Sequence, residues 1–126
     1  MHKSRLAGFI IDCRTDDLQG AARFWSGALG MDTEILPGQE GDSYVKLKVP
    51  DKRMHIEVQT VDHESRVHLD IEADDIEAEV KRLEALGAKR LRNIQSWVVM
   101  EAPTGQRFCI VRPQNRDFAQ NSNTWA

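Results

Sequence analysis

The sequence predicts an α+β fold made of two β-α-β-β-β units, with helices on the outside of a curved mixed sheet. Three observations carry this. Residues 16–30 (DDLQGAARFWSGALG) and 74–87 (DDIEAEVKRLEALG) are two copies of one helical pattern, each opening on an Asp pair and closing on Leu-Gly. Ser43-Tyr44-Val45 and Pro50 return as Ser96-Trp97-Val98 and Pro103, at a constant offset of 53. Short runs with strand periodicity flank both helical copies in the same order. Self-similarity at a fixed spacing marks a repeated supersecondary unit.

The first unit spans about residues 5–61. Leu6–Cys13 is its first strand. Asp16 is expected to cap the helix by accepting from free N–H groups of the first turn, with Gln19 in the capping-box position. Leu18, Ala21, Ala22, Trp25 and Leu29 share one helical face, and core packing is expected for Phe24 and Trp25. Gly30 supplies the left-handed residue that ends a helix. Strands follow near 32–36, 43–49 and 54–61. The helical copies lie 57 or 58 residues apart rather than 53, so the first unit carries a longer loop, placed at Pro37–Asp42 (PGQEGD).

The second unit spans about residues 66–113. Val67–Glu72 is its first strand, Asp74 the expected cap, and Glu77 the capping-box partner. Ile76, Val80, Leu83 and Leu86 form the buried stripe, Gly87 ends the helix, and strands follow near 89–92, 96–101 and 107–112. The run Glu77–Arg90 is a solvated helix face with pairs such as Glu77–Lys81, and implies no partner. The tail 114–126 (QNRDFAQNSNTWA) is polar and aperiodic. It is expected to be an extension ordered by packing Phe118 or Trp125 on a partner.

Composition narrows the function. A length of 126 residues fits one domain. No apolar run approaches the ~20 residues of a membrane-spanning helix. The net charge of −3 lacks the basic balance of a nucleic-acid binder. Cys13 and Cys109 are too few for a disulfide scaffold and are expected to be free thiols in a reducing compartment. Asp12 ends the apolar run Leu6–Ile11 too early for a signal peptide. A cytoplasmic single domain is therefore expected.

Strand alternation selects the candidate site. In Val67–Glu72, the residues Val67, Leu69 and Ile71 face the helices, while His68, Asp70 and Glu72 face the other way. In MHIEVQTV, Met54, Ile56 and Val58 are apolar, so His55, Glu57 and Gln59 share the opposite face. In the last strand Phe108 and Ile110 point to the helix side, Arg107 and Cys109 away from it. His55, Glu57, His68, Asp70, Arg107 and Cys109 are thus expected in one cavity. His68 either pairs with Asp70 or Glu57 for structural reasons or acts as a ligand-binding or acid–base group. Arg107 either holds a carboxylate or phosphate or pairs with Glu57 or Asp70. Cys109 reads as a small buried filler rather than a nucleophile. Trp97 serves sheet packing or stacks on a substrate.

The paired units, the helix ending in FW…ALG and the later Ala102-Pro103-Thr104-Gly105-x-x-Phe108 together resemble the vicinal oxygen chelate superfamily over about residues 5–113. Its members include glyoxalase I, extradiol dioxygenases, methylmalonyl-CoA epimerase, and bleomycin and fosfomycin resistance proteins. The stretch Arg66–Asp70 with the following helix is similar to small glyoxalase-like proteins. The resemblance implies a cup-shaped mixed sheet, helices outside, and a small organic molecule bound in the cup. In the superfamily's enzymes a divalent metal sits there, held by the first and last strands of each unit. Those positions are here Ile10, which is no ligand; His68, a good one; Cys109, where a metalloenzyme would have Glu; and Glu57, although an offset of 53 from Cys109 lands on Ile56.

The resemblance therefore implies no assured cofactor, with His68 and Glu57 the ligands if a divalent metal is present. As an enzyme the protein would use His68 and Glu57 as its catalytic pair, and strand alternation offers His55, Asp70, Arg107 and Cys109, together with Trp97, as substrate contacts. Two functions stay open: a glyoxalase-like lyase, isomerase or dioxygenase, or a metal-free protein that sequesters a drug-like molecule. A homodimer is expected as well, since superfamily members often complete their cups with a second chain. No nucleic acid or membrane partner is expected.

Overall fold

The computed structural model describes residues 1–51 and 53–126. The chain is α+β, with nine strands of a mixed sheet and, among the described residues, four helices. In chain order these are β1 (His2–Arg14), α1 (Leu18–Leu29), β2 (Thr33–Ile35), α2 (Glu40–Ser43), β3 (Tyr44–Leu47), β4 (His55–Val61), β5 (Arg66–Ala73), α3 (Ile76–Ala85), β6 (Lys89–Ile94), β7 (Trp97–Glu101), β8 (Arg107–Val111), α4 (Phe118–Asn121) and β9 (Asn123–Trp125). The β-α-β-β-β order occurs twice. No helix among the described residues is long and apolar enough to cross a membrane. The chain forms two compact units, Phe9–Val67 and Met1–Gly8 with His68–Ala126, so that β1 contributes to both.

In the unit Phe9–Val67 the strand order is β2-β3-β4-β1. β3 pairs antiparallel with β4, setting Val45 opposite Val58 and Leu47 opposite Ile56. Those residues meet Leu18 and Ala22 of α1, with Ala21 and Trp25 at the margin. Phe24 departs from the expected packing: it is exposed, edge-on to Trp25 at 5.1 Å. The cap is Asp17 rather than Asp16. Its carboxylate accepts from Gly20 N–H at 2.9 Å, while Thr15 Oγ1 accepts from Asp17 N–H at 3.0 Å. That shift removes Gln19 from the capping-box position. A Cβ at Gly20 would meet the Asp17 carboxylate, which would have to shift to admit it. Gly30 closes α1 at φ 68°. The turn-forming run expected at 37–42 folds in part into the single turn α2.

In the other unit the order is β1-β5-β8-β7-β6, with β9 antiparallel to the start of β1. β5 runs parallel to β8, and β8 antiparallel to β7. Val80 and Leu83 of α3 pack on Ala73, Val98, Met100, Phe108 and Ile110. The cap is again the second Asp of the pair: Asp75 accepts from Ala78 N–H at 3.0 Å, leaving Asp74 to accept from Lys3 N–H at 2.8 Å. Glu77 pairs with Arg90 of β6 rather than with Lys81. Val67 and Leu69, expected beneath the helix, are 59% and 42% exposed. The reason is placement: α3 lies on β6 and β8, so of that row only Ile71 reaches the core.

The tail folds within this unit instead of waiting for a partner. Phe118 is buried, and Trp125 lies beneath Arg82, whose guanidinium carbon is 3.9 Å from the ring centroid. Trp125 Nε1 donates to Ser4 Oγ at 2.8 Å. The same Arg82 grips Glu79 with two hydrogen bonds of 2.9 and 2.8 Å, and a His2 ring nitrogen lies 2.7 Å from Glu79. Glu79 is 0% exposed on the apolar face of α3. Burial opposes its ionisation, yet hydrogen bonds from Arg82, His2 and Ser4 outweigh burial and hold the carboxyl below its ordinary value.

Two outcomes follow from this packing. Leu83→Ala removes a core contact of α3 and should lower the unfolding free energy by about 2–5 kcal/mol in urea titrations; a loss under about 0.5 kcal/mol is that of a surface site and would place Leu83 outside the core. Glu79→Gln should cost about 1–3 kcal/mol at neutral pH, because it leaves buried donors poorly paired. A carboxyl depressed in the folded state stabilises above its unfolded value and loses that contribution as pH falls through the lower folded value. The gap between wild type and Glu79→Gln should therefore narrow below about pH 4. A gap independent of pH would rule out an ionised Glu79.

Candidate functional site

The face of the second unit's sheet away from α3 follows from register. Parallel pairing sets Asp70 opposite Cys109 and Glu72 opposite Val111. Antiparallel pairing sets Val99 opposite Cys109 and Glu101 opposite Arg107. Side chains at paired positions share a face, and so do residues two apart on one strand. His68, Asp70 and Glu72, then Arg107, Cys109 and Val111, then Trp97, Val99 and Glu101 therefore occupy one face across three strands.

His68 and Asp70 meet there. His68 Nε2 lies 3.4 Å from Asp70 Oδ1, with side chains only 14% and 10% exposed. Cys109 completes the group: one donor atom from each of His68, Asp70 and Cys109 lies within 4.8 Å of the others. The structure thus brings together three residues that strand alternation selects. Cys109 is a free, half-buried thiol. Cys13 is free as well, but burial pushes its thiol up, with Asp12 adding to this and a Trp25 contact opposing it.

Glu72, third in the row, serves the backbone instead. Fully buried, it accepts from the backbone N–H groups of Gln114 at 2.5 Å and Asn115 at 3.2 Å, and from Asn115 Nδ2 at 2.9 Å. Arg5 Nε lies 3.3 Å from it, and Arg5 Nη1 reaches Asp117 at 3.5 Å. Glu72 therefore fixes the chain leaving β8. Its place in the polar row was legible in the sequence, but its partners in the tail were not. Arg107 pairs with Glu101, its cross-strand neighbour, at 3.5 Å, rather than with Glu57 or Asp70. Trp97 is half-buried at the start of β7.

His55 and Glu57 lie on β4 of the unit Phe9–Val67. Glu57 is opposite Lys46, and Gln59 is opposite Tyr44, where its Nε2 donates to the Tyr44 hydroxyl at 2.8 Å. This settles the register of β4, since Ile56 and Val58 belong to the core side. His55 is buried, and Ile10 is 2% exposed with no donor to offer.

The donor chemistry at His68, Asp70 and Cys109 fits a divalent metal. Imidazole nitrogen, carboxylate oxygen and thiolate sulfur are all zinc ligands, and tetrahedral bonds of about 2.0–2.3 Å place donor atoms about 3.3–3.8 Å apart. The His68–Asp70 separation of 3.4 Å already lies in that range. Closing the rest of the 4.8 Å group needs a movement of about 1 Å.

Residues 8–111 match the model of a family described as a glyoxalase-like domain. No curated protein sequence matches the chain. Among solved structures, a hypothetical protein from Bacillus halodurans is similar at 11% identity and a TM-score of 0.65, over 90% of this chain and 96% of that one. Methylmalonyl-CoA epimerase from Mycobacterium tuberculosis is similar at 17% identity and a TM-score of 0.56, over 90% and 91%. A glyoxalase/bleomycin resistance protein/dioxygenase superfamily member from Vibrio splendidus is similar at 15% identity and a TM-score of 0.55, over 87% and 99%. At these identities the likeness is one of fold. The family match covers both β-α-β-β-β repeats that sequence and structure show, and the protein belongs to the glyoxalase-like domain family.

Proposed function

We propose that the protein binds a small oxygen-bearing organic molecule at His68, Asp70 and Cys109 and acts on it as a lyase or isomerase, by proton transfer at His68. The His68–Asp70 pair carries this reading. A carboxylate 3.4 Å from the imidazole orients the ring and stabilises the cation formed when the ring takes a proton. Low exposure of both side chains strengthens that interaction. In the proposed step His68 removes a proton from the carbon next to a substrate carbonyl, and the C–H electron pair moves toward the carbonyl oxygen. Protonation of the enolate by solvent water on the other face, with His68 giving its proton back to solvent, completes an isomerisation; loss of a leaving group from the neighbouring carbon completes an elimination. The fold likeness to methylmalonyl-CoA epimerase agrees with such chemistry.

A second reading, metal-free sequestration of a drug-like molecule, is favoured by one observation: Ile10 is buried where the superfamily's enzymes carry a ligand. One experiment separates the two. Wild type and His68→Ala are incubated in deuterated water with small carbonyl compounds bearing an acidic C–H, methylmalonyl-CoA among them, and exchange is followed by mass spectrometry. Exchange by wild type, reduced about 10²–10⁴-fold in His68→Ala with little change in melting temperature, is the expected result. No exchange with any compound, together with tight calorimetric binding of bleomycin, would favour sequestration. A His68→Ala variant that loses stability without losing exchange would remove His68 from the chemistry.

A further inference from the structure

We propose that Arg92 sets the specificity of this site, and that the molecule bound there carries an oxyanion, a carboxylate or a phosphate, remote from its reacting carbon. This names a substrate class for the proposed function and rests on that reading. The hairpin of β6 and β7 carries the argument. Arg90 is opposite Met100 and Arg92 is opposite Val99, so Leu91 is an extra residue with no counterpart on β7. In a regular strand residues 90 and 92 share one face; a bulge between them puts them on opposite faces. Arg90 accordingly turns to α3, where its Nη2 donates to Glu77 Oε1 at 2.5 Å and its Nη1 to Asn93 Oδ1 at 3.1 Å. Arg92 turns to the face of Val99, which is also the face of His68, Asp70 and Cys109.

Register also sets the distance. Asp70 pairs with Cys109, Cys109 with Val99, and Val99 with Arg92, so these residues form one row across β5, β8, β7 and β6. A strand spacing of about 4.8 Å puts Arg92 about 14 Å from Asp70, backbone to backbone. The floor between Cys109 and Arg92 is apolar: Val99 lies in the row, and the facing pair Ile94 and Trp97 flanks it, all half-buried. A two-residue turn, Gln95-Ser96, closes the hairpin, so the sheet rather than a loop holds Arg92 and Trp97. Arg107 on the same face is held by Glu101, and Arg90 by Glu77. Arg92 is exposed and has no carboxylate partner among the described residues. A planar guanidinium holds a carboxylate or phosphate by two parallel hydrogen bonds. A molecule with its carbonyl at His68 and Cys109 and its body over Val99 and Trp97 meets Arg92 one to two strand spacings away, about 5–10 Å. The class is thus a carbonyl compound with a flat or apolar body and a remote oxyanion.

The test uses the full chain and rigid probes that each carry an acetyl group with acidic C–H bonds: 4-acetylbenzoate, 4-acetylphenyl phosphate and the neutral 4-acetylbenzamide. Calorimetry gives their affinities at low and high salt. Both anions should bind about 10-fold or more tighter than the amide, with the margin shrinking as salt rises. Arg92→Gln should remove that margin while the affinity for the amide and the melting temperature stay unchanged, and Arg92→Lys should keep part of it. Lys81→Gln on α3 removes an equal charge elsewhere and should leave the margin intact. A larger margin for the phosphate assigns a phosphate ester; a larger one for the benzoate assigns a carboxylic acid. Equal affinities for the anions and the amide, no binding of any probe, or a margin that survives Arg92→Gln would each overturn the proposal. An anion margin lost in Arg92→Gln, with no proton exchange on any probe, would keep the anion site and sink the lyase or isomerase reading. Exchange with no anion margin would do the reverse.

Discussion

The parallel pairing of β5 with β8 is the constraint on which the second unit depends. In a parallel ladder, a slip of one residue moves a whole row of side chains to the other face. Here the core forbids that slip. Phe108 and Ile110 are held against Val80, Leu83, Val98 and Met100, and a shift would expose them while burying Arg107. The polar face is therefore positioned by apolar contacts on its reverse side. His68, Asp70 and Cys109 meet because Ile71, Phe108 and Ile110 must be where they are.

Much of this was legible in the sequence, for a physical reason. Internal repetition checks each element twice, and period-two alternation states which side chains share a face before any partner is known. The register of β4 was ambiguous by one residue until the core claimed Ile56 and Val58. What stayed hidden depends on contacts between residues far apart in the chain. The choice between the two Asp residues of each pair turns on Thr15 and Lys3, outside the local helical pattern. Trp125 looked unpartnered because Arg82 and Ser4 lie far from it in sequence. Glu79 sat in a helical stripe as a charged residue, with nothing local to show that His2 and Arg82 would allow its burial.

The repeats have diverged while keeping their scaffold. Tyr44 and Trp97 occupy matching positions, yet the Tyr44 hydroxyl takes a hydrogen bond from Gln59, whereas Trp97 lies on the face of His68 and Cys109. The first strand of one repeat carries Ile10 where the other carries His68. The two copies thus share one scaffold while differing in the side chains they place on it.

The parallel register also sets when these side chains can meet. One helix and two strands separate β5 from β8 along the chain, so their pairing closes a long loop whose entropy cost comes before any reward. The hairpin-linked strands β6, β7 and β8 can form from near neighbours, but β5 joins β8 only after the intervening chain is in place. The polar centre therefore exists only once β5 and β8 are paired. A ligand that binds it and has no affinity for the unfolded chain would, at a hundred times its dissociation constant, add about 2.7 kcal/mol to stability.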